Sequence, residues 1–516
     1  MNQPLGPAPD IESQRRRAGI LCHPTSLPGP FGIGGLGESA YRFIDWLSTA
    51  GLSAWQVLPL GPTGYGDSPY QPFSAFAGNP LLIDLVDLVE KGLLHPDMLP
   101  LSEDCDSSFV DYGQVIQMKR KMLNEAYANR QRASGALREG FAQFRDEQAS
   151  WLADYGLFMA LKEQLGGGPW PEWPTSLVRR DPDALADQRA HLKEEIDYHV
   201  YAQFLFEEQW QRLHEYARKR GISIIGDLPI FVGHDSADVW SHQELFVLDE
   251  MGQPSVVAGV PPDYFSPTGQ RWGNPLYRWT IMADDGYAWW VRRLRRTLEL
   301  VDQVRIDHFR GFVNYWEVPA SEPTATNGRW LPGPGRAFFD AIASALGTLP
   351  IIAEDLGMIT PDVTELRQAL GLPGMTVLQF AFDGEIANPH IPHNHVRRSV
   401  VYTGTHDNDT TCGWYQELSE REAHRVRVYT GSDGSDISWQ LIRLAMSSVS
   451  DLAVFPVQDV LSLGSWARMN SPGKAQANWT WRFRRDDLSA ELAAALADLA
   501  VVTGRTASDD RRASRG

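Results

Sequence analysis

The 516-residue sequence predicts an α/β fold, a single (β/α)₈ barrel in which parallel strands alternate with helices. Short apolar runs recur along the chain, helix-like periodicity lies between most of them, and several runs end in a carboxylate. The runs are GILCHP (19–24), AWQVLP (54–59), ISIIGDLP (222–229), DQVRID (302–307), PIIAEDLG (350–357), MTVLQFAF (375–382), SVVYTGTHD (399–407) and DLAVFPVQD (451–459).

Helices are predicted where apolar residues recur with a 3.6-residue period. They lie at 41–51, 115–131, 194–221 with Gly221 as C-cap, 287–301, 336–346 and 361–370. The interval between the second and third runs far exceeds one crossover helix. Mainly helical insertions are therefore predicted after strands 2 and 3, at about 61–215 and 230–290. The barrel domain spans 19–505, with a flexible N-terminus (1–18) and a disordered tail (506–516).

An open, doubly wound sheet is the competing fold. It would fit fewer strands and usually a glycine-rich nucleotide loop. The segment GIGGLG (32–37) does not lie directly between a strand and a helix, and no acidic residue is placed for a ribose. We interpret it as an ordinary loop.

Composition excludes several classes of function. The net charge of −18 and a pI near 5.2 argue against a nucleic-acid partner. No apolar run is long enough for a membrane span or a signal peptide. Cys22, Cys105 and Cys412 are too few and too scattered for a disulfide framework or a zinc site. A reducing compartment, the cytoplasm, is the simple expectation.

The stretch RIDHFRG (305–311) contains the most informative charge pattern. Side chains alternate along a strand, so Arg305 and Asp307 point to one face while Val304 and Ile306 point to the other. A neighbouring guanidinium lowers the pKa of a carboxylate and keeps it ionised. Asp307 is thus either a nucleophile or one half of a structural ion pair at a strand end.

Other acidic residues occupy the same position at other strand ends. In a (β/α)₈ barrel these ends meet at the catalytic face. Asp227, Glu354 and Asp407 lie toward the ends of the third, fifth and seventh runs, although carboxylates at such positions also cap helices. Asp355 could be such a cap, leaving Glu354 inward by alternation. Crowded carboxylates raise one another's pKa, which can provide one ionised nucleophile and one protonated acid.

Metal binding competes with catalysis as a role for these carboxylates. His308 and His406 each adjoin a candidate carboxylate, but no HxH or HExxH spacing occurs. Both histidines could donate hydrogen bonds to sugar hydroxyls, or their hydrogen-bonding capacity could be satisfied by nearby backbone groups. The tract HIPHNH (390–395) is interpreted as surface, with weak metal affinity possible. We expect no metal and no cofactor.

Two aromatic loops suit a sugar ligand, at 61–80 and 261–277. A sugar ring has an apolar face bordered by hydroxyls, so its sites combine flat aromatics with polar side chains. Candidate platforms are Tyr65, Tyr70, Tyr264, Phe265 and Trp272. These aromatics could instead only pin the loops to the barrel. Gly269 and Gly273 could let the second loop move as a lid.

The blocks RIDHFRG, IIAEDLG (351–357) and YTGTHDNDT (402–410) resemble those of the 4-α-glucanotransferases. This is the amylomaltase or disproportionating-enzyme family, glycoside hydrolase family 77, which is related to the α-amylases. The resemblance runs in order from residue 19 to about 485 and includes both aromatic loops, GDLPIFV (226–232) and ARMNSPG (467–473). It implies a (β/α)₈ barrel without a C-terminal β-domain.

The resemblance also implies residue roles. Asp307 matches the nucleophile, Glu354 the general acid and base, and Asp407 the carboxylate that stabilises the transition state. Arg305, His308, His406 and Asp227 match residues around the sugar at the cleavage point. The remaining matches are Trp272, Ser68, Tyr70 and Asn470 at donor or acceptor contacts, and Tyr65 and Tyr112 near a second glucan site.

The implied activity is transfer of an α-1,4-glucan segment to the 4-hydroxyl of glucose or another glucan, as part of maltooligosaccharide, glycogen or starch metabolism. An α-glucan hydrolase is the second enzymatic interpretation. A glucan-binding barrel without catalysis is the non-enzymatic one, and it would lack a carboxylate that this sequence retains. The sequence does not determine whether the chain is a monomer or a homodimer.

Overall fold

The computed structural model describes residues 16–100, 107–262, 266–474 and 477–506. Most of the predicted flexible N-terminus and of the predicted tail lies outside these ranges. So do Cys105, Tyr264, Phe265 and the side chain of Tyr65.

All of the predicted apolar runs form parallel strands of one barrel. The strands are β1 (Arg17–Leu21), β2 (Ala54–Gln56), β3 (Ser223–Pro229), β6 (Gln303–Asp307), β9 (Ile351–Ala353), β10 (Gly374–Val377), β11 (Ser399–Tyr402) and β12 (Leu452–Pro456). They follow one another in chain order around the sheet, and β12 pairs with β1. The last junction is joined by the Ala353 N–H, which donates to the Pro373 carbonyl at 2.9 Å.

Alternation along the strands separates two cores, as predicted. Val304 and Ile306 of β6 face outward into the layer between the strands and the helices. Ile225 and Ile352 belong to a separate inner cluster inside the barrel. Arg305 lies opposite Asp227 in the β3–β6 register and opposite Ile352 in the β6–β9 register. Arg305 therefore projects into the barrel, at the end where the inner apolar cluster stops.

The predicted helices are present, with boundaries that differ by a few residues. The first insertion holds α2 (Leu85–Glu90), α3 (Tyr112–Ala128), α4 (Gly135–Glu147), α5 (Ala149–Gln164), α6 (Thr175–Val178), α7 (Pro182–His191) and the start of α8 (Lys193–Lys219). The others are α1 (Glu38–Thr49), α9 (Ala237–Ser241), α10 (Trp279–Asp284), α11 (Ala288–Leu300), α12 (Gly335–Leu346), α13 (Pro361–Ala369), α14 (Thr411–Glu417), α15 (Glu420–Thr430), α16 (Ile437–Ser447), α17 (Val457–Val460) and α18 (Ala490–Thr503).

Helix α8 ends with Arg220 as its C-cap, one residue before the predicted Gly221. Gly221 adopts φ +72°, a conformation that side chains with a Cβ disfavour, and so turns the chain away from the helix. The described part of the chain contains no helix with the length and apolarity of a bilayer-spanning segment. After β12 the described residues build helices and loops, and no further sheet.

A four-stranded antiparallel sheet beside the barrel was not predicted. Its strands are β4 (Val256–Val260), β5 (Gln270–Pro275), β7 (Asn314–Pro319) and β8 (Arg329–Pro332), in the order β5–β4–β7–β8. The second insertion thus combines short helices with two strands, and it pairs with a hairpin that follows β6. Because β4 and β7 lie far apart in sequence, no local pattern announces their pairing.

Arg505 joins the two ends of the described chain. Its side chain is fully buried. It donates to the carbonyls of Arg17 and Met446, both at 2.7 Å, and to those of Ser448 and Ser450 at 2.8 and 2.9 Å. This one guanidinium therefore fastens the start of β1 to the segment that leads into β12.

We expect Arg505→Ala to lower the free energy of unfolding by about 3 kcal/mol or more, because several buried carbonyls lose their donor. Urea unfolding followed by circular dichroism measures this. Arg485→Ala is the control, since Arg485 pairs with Glu38 at the exposed surface and should cost less than about 1 kcal/mol. Equal losses for the two variants would contradict this account.

Candidate active site

The four predicted acids converge at the carboxyl ends of the barrel strands. Asp227 and Asp307 lie within β3 and at the end of β6. Glu354 comes directly after β9, and Asp407 lies five residues beyond β11. The structure therefore brings together residues that span 180 positions of sequence, at the face where barrel enzymes carry their chemistry.

Arg305 lies between two of these carboxylates. Its Nη1 donates to Asp227 Oδ1 and Oδ2 at 2.8 and 2.7 Å, and its Nη2 donates to Asp307 Oδ1 at 2.8 Å. Burial by itself would lower the pKa of Arg305, but Asp227 and Asp307 raise it well above its usual range. The guanidinium is therefore permanently charged, and it pairs with both carboxylates.

Tyr70 completes the surroundings of Asp227. Its hydroxyl donates to Asp227 Oδ2 at 2.7 Å. Its ring stacks on the His406 imidazole, with centroids 5.0 Å apart and an interplanar angle of 17°. The centroid of the Trp479 ring lies 5.7 Å from that of the Tyr70 ring. Since Arg305 and Tyr70 already occupy the oxygens of Asp227, this carboxylate holds its neighbours in place.

Asp407 is held by two partners from opposite directions. Asn470 Nδ2 donates to Asp407 Oδ1 at 2.6 Å, and His406 Nε2 lies 3.4 Å from Oδ2. Burial opposes ionisation, yet His406 and the Asn470 amide hold the pKa of Asp407 well below its usual range. Arg468, which the sequence interpretation passed over, donates to the Asp407 backbone carbonyl at 2.6 Å. Asp407 is therefore ionised at neutral pH.

Glu354 has the opposite electrostatic setting. Burial, together with the nearby Asp307 carboxylate, raises the pKa of Glu354 to about 7. The His308 N–H donates to Oε2 at 2.6 Å and the Leu356 N–H donates to Oε1 at 2.9 Å. These donors orient the carboxyl group, while the raised pKa leaves it protonated in a large fraction of molecules at pH 7.

His308 and Trp272 form the wall on the side of the four-stranded sheet. His308 adopts φ 53° directly after β6, which turns its ring against the Trp272 indole at 4.9 Å between centroids. Burial lowers the pKa of His308 to about 4, so the ring is neutral at pH 7. Its Nε2 is buried and has no hydrogen-bond partner within the described residues.

The remaining predicted contacts have mixed outcomes. Ser68 Oγ accepts from the Tyr70 N–H at 3.2 Å and so supports the turn that presents Tyr70. Tyr112 is buried at the start of α3, and its hydroxyl donates to the Trp479 carbonyl at 3.0 Å. Its ring is packed inside the protein rather than open to a glucan. Tyr65, Tyr264 and Phe265 lie outside the described side chains.

Two interpretations are corrected. Asp355 does not cap a helix: its carboxylate accepts from the Met375 N–H at 2.8 Å and pairs with Arg367, whereas α13 begins after Thr360. The tract 390–395 is not simply surface. His395 is buried and bonds Ser448 Oγ at 2.7 Å, because the loop packs onto the turn before β12.

Trp479 and Arg468 are the site residues that the sequence interpretation did not assign. Both fall in or just after ARMNSPG, a block in which the resemblance implies a role for Asn470 alone. Within the described ranges, no three His, Cys, Asp or Glu side chains are arranged to hold a metal ion.

Comparison with known proteins gives this constellation its context. The 4-alpha-glucanotransferase family model matches residues 22–488. This chain belongs to that family. It is 53% identical to the 4-alpha-glucanotransferase of Thermus thermophilus, over 95% of this chain and 99% of the relative. The Synechocystis 4-alpha-glucanotransferase is 51% identical over 95% of this chain and 98% of its own.

The solved structures agree with this assignment. The amylomaltase of Streptococcus agalactiae, solved in complex with acarbose, superposes with a TM-score of 0.92 at 39% identity, over 95% of this chain and all of that one. An amylomaltase from Corynebacterium glutamicum, at 18% identity and a TM-score of 0.75, shares the fold over 96% of this chain and 75% of that one. The protein is thus an enzyme, a 4-alpha-glucanotransferase with a (β/α)₈ barrel.

The raised pKa of Glu354 predicts how the glucanotransferase responds to pH. A carboxyl with a raised folded-state pKa costs stability as pH rises from its unfolded value, 4.5, through its folded value, about 7. Glu354→Gln removes this cost. The free energy of unfolding of Glu354→Gln, relative to that of wild type, should therefore increase by at most about 3 kcal/mol between pH 4.5 and pH 7. Above pH 7 the difference between the two proteins should stay constant.

Urea unfolding at pH 5 and at pH 8 measures the difference. Glu385→Gln, at an exposed position, is the control for the removal of a surface carboxyl group. A stability difference between Glu354→Gln and wild type that does not depend on pH would contradict the raised pKa.

Proposed function

We propose that glucan transfer proceeds by a retaining double displacement in which Asp307 is the nucleophile. The observation that carries this proposal is the pairing of Asp307 with Arg305 at 2.8 Å, beside a second carboxyl group of raised pKa. Asp307 attacks the anomeric carbon of an α-1,4-glucan, and the glycosidic bond breaks. A covalent β-glycosyl–enzyme intermediate remains on Asp307.

Glu354 serves as general acid and then as general base. In the first step its proton goes to the departing glycosidic oxygen. In the second step Glu354 takes the proton of the acceptor 4-hydroxyl, which attacks the intermediate and releases Asp307. A pKa of about 7 suits both directions, because a group that titrates near the working pH is available in both forms. Retention requires the two carboxyl groups to lie roughly 5 to 5.5 Å apart.

Asp407 stabilises the positive charge of the oxocarbenium-like transition state and binds sugar hydroxyls. Its pKa, held low by His406 and Asn470, supports an ionised role throughout the cycle. His406, Asn470, Tyr70 and Asp227 surround the same sugar in this proposal. Their mutual hydrogen bonds keep the charge in place before substrate arrives, which is the usual source of electrostatic catalysis.

Transfer needs a glucan acceptor to outcompete water. Trp272 of β5 packs against His308 at the edge of the site, and we assign acceptor binding to Trp272, while His308 lies beside the sugar at the cleavage point. The donor is an α-1,4-glucan, and the acceptor is the 4-hydroxyl of glucose or of a maltooligosaccharide. The segment predicted as an aromatic loop, 261–277, contains β5, and we propose that it helps to exclude water from the intermediate.

We also propose that residues 19–505 act as one catalytic domain with insertions at about 61–215 and 230–290. The contacts of Arg505 with Arg17 and with the turn before β12 support this, because they connect the two ends of the barrel. A cytoplasmic location is consistent with the free thiols of Cys22 and Cys412.

Incubation with maltotriose tests the function. A transferase produces glucose together with a ladder of longer maltooligosaccharides, which chromatography resolves. A hydrolase yields only glucose and maltose. Product mixtures that contain no chain longer than maltotriose would refute the proposed transfer.

Asp307→Asn tests the nucleophile. We expect turnover of maltotriose to fall by roughly 10³-fold or more, because the amide cannot form the glycosyl intermediate. Binding of maltooligosaccharide, measured by calorimetry, should remain close to that of wild type. Asp340→Asn, which alters an exposed partner of Arg336 on α12, is the control and should keep full activity. Near-normal transfer by Asp307→Asn would mean that another residue is the nucleophile.

A further inference from the structure

Arg310 connects the two loops that follow the proposed nucleophile and the proposed acid. It lies three residues after Asp307, and its side chain is 8% exposed. Its Nη1 donates to the backbone carbonyl of Met358. Met358 lies four residues after Glu354, in the stretch 354–360 that has neither helix nor strand between β9 and α13. A single side chain thus bridges the segments on which acid and nucleophile depend.

Arg310 is itself fixed on several sides. Its Nε donates to Asn314 Oδ1 at 3.0 Å, and Asn314 Nδ2 donates in turn to Asp362 Oδ2 at 3.2 Å. The guanidinium lies 3.9 Å above the centroid of the Trp330 ring. Trp330 belongs to β8 and pairs with Trp316 of β7. The four-stranded sheet therefore supports the plane of the guanidinium, a contact that favours arginine over lysine.

The effect reaches Glu354 through the backbone. The Leu356 N–H that donates to Glu354 Oε1 lies two residues before the Met358 carbonyl that Arg310 holds. The other donor, the His308 N–H, lies two residues before Arg310 itself. Both N–H groups that orient the carboxyl thus lie within two residues of the Arg310–Met358 bridge. If the bridge is lost, the backbone of residues 356–358 is free to shift, and Glu354 loses the hydrogen bond from the Leu356 N–H.

We propose that Arg310 is a positioning residue that keeps the Glu354 carboxyl aimed at the departing glycosidic oxygen. It acts by anchoring the backbone of residues 356–358, and it does not touch the sugar. This inference rests on the proposed role of Glu354 as the acid. The four-stranded sheet then contributes to catalysis, because the Trp330 ring of β8 supports the Arg310 guanidinium.

Two substrates distinguish a positioning role from a merely structural one. With maltotriose, the glycosidic C–O bond breaks and its electron pair needs the proton of Glu354. With α-maltosyl fluoride, Asp307 attacks the same carbon and the C–F bond breaks, but fluoride leaves with its electron pair and needs no proton. A displaced acid therefore slows the first reaction and spares the second, whereas a loosened fold slows both.

We expect Arg310→Ala to lower the single-turnover rate on maltotriose by roughly 10²-fold, the scale of a small misplacement of a catalytic group. Release of fluoride from α-maltosyl fluoride should stay within about threefold of wild type in the same assay. Arg310→Lys keeps the charge but loses the planar contact with Trp330, so it should recover only part of the maltotriose rate. KM for maltotriose should change little.

Arg425→Ala is the matched control. Arg425 also donates to loop carbonyls, those of Phe382 and Asp383, but at another part of the barrel rim. It should leave both rates unchanged. If Arg310→Ala does not fold, Trp330→Ala removes the supporting ring and is measured with the same two substrates.

The inference is overturned if Arg310→Ala lowers the rates on both substrates equally, or if it leaves the rate on maltotriose unchanged. Glu354→Gln, measured in parallel, distinguishes a failure of the Arg310 inference from a failure of the proposed function. If Glu354→Gln loses maltotriose cleavage but keeps fluoride release, Glu354 is the acid and the Arg310 variants are decisive. If Glu354→Gln shows no such selectivity, the proposed acid is wrong and the Arg310 inference falls with it.

Discussion

Arg305 places a buried guanidinium between the carboxylates of Asp227 and Asp307, at 2.7 to 2.8 Å from each. A charge in this position would be costly without partners, and each carboxylate beside it would be costly without the guanidinium. The three groups are therefore stable only together, and they fix the relative positions of β3 and β6 at the mouth of the barrel. Tyr70 and His406 extend the same arrangement toward Asp407.

The surroundings of Asp407 and Glu354, near this ion-pair cluster, shift the pKa values of the two carboxyl groups in opposite directions. Asp407 has a protonatable imidazole and an amide donor, which hold its pKa low. Glu354 has burial and a neighbouring carboxylate, which raise its pKa to about 7. The two acids differ by one methylene group, so the difference in their pKa comes from their surroundings. A retaining transferase needs this separation, because one carboxyl group must carry a proton while another stays charged.

The four-stranded sheet places further constraints on the barrel rim. The four-stranded sheet brings Trp272 against His308 and places Trp330 under Arg310. Both contacts fall on residues that lie within three positions after the proposed nucleophile in sequence. The segment between β6 and β7 is thus held against a neighbouring sheet, and support of this kind gives functional side chains a precise position.

The sequence by itself determined the eight barrel strands, the inward direction of Arg305, Asp307 and Glu354, and the family, because these depend on local periodicity and on contiguous blocks. Only the tertiary structure decided the rest. The pairing of β4 with β7, the burial of Tyr112 and His395, and the true partner of Asp355 all depend on segments distant in the chain. The contributions of Trp479 and Arg468 depend on how their loop packs over Tyr70 and Asp407. Local patterns state which way a side chain points, whereas its partner and its pKa depend on what the fold places opposite it.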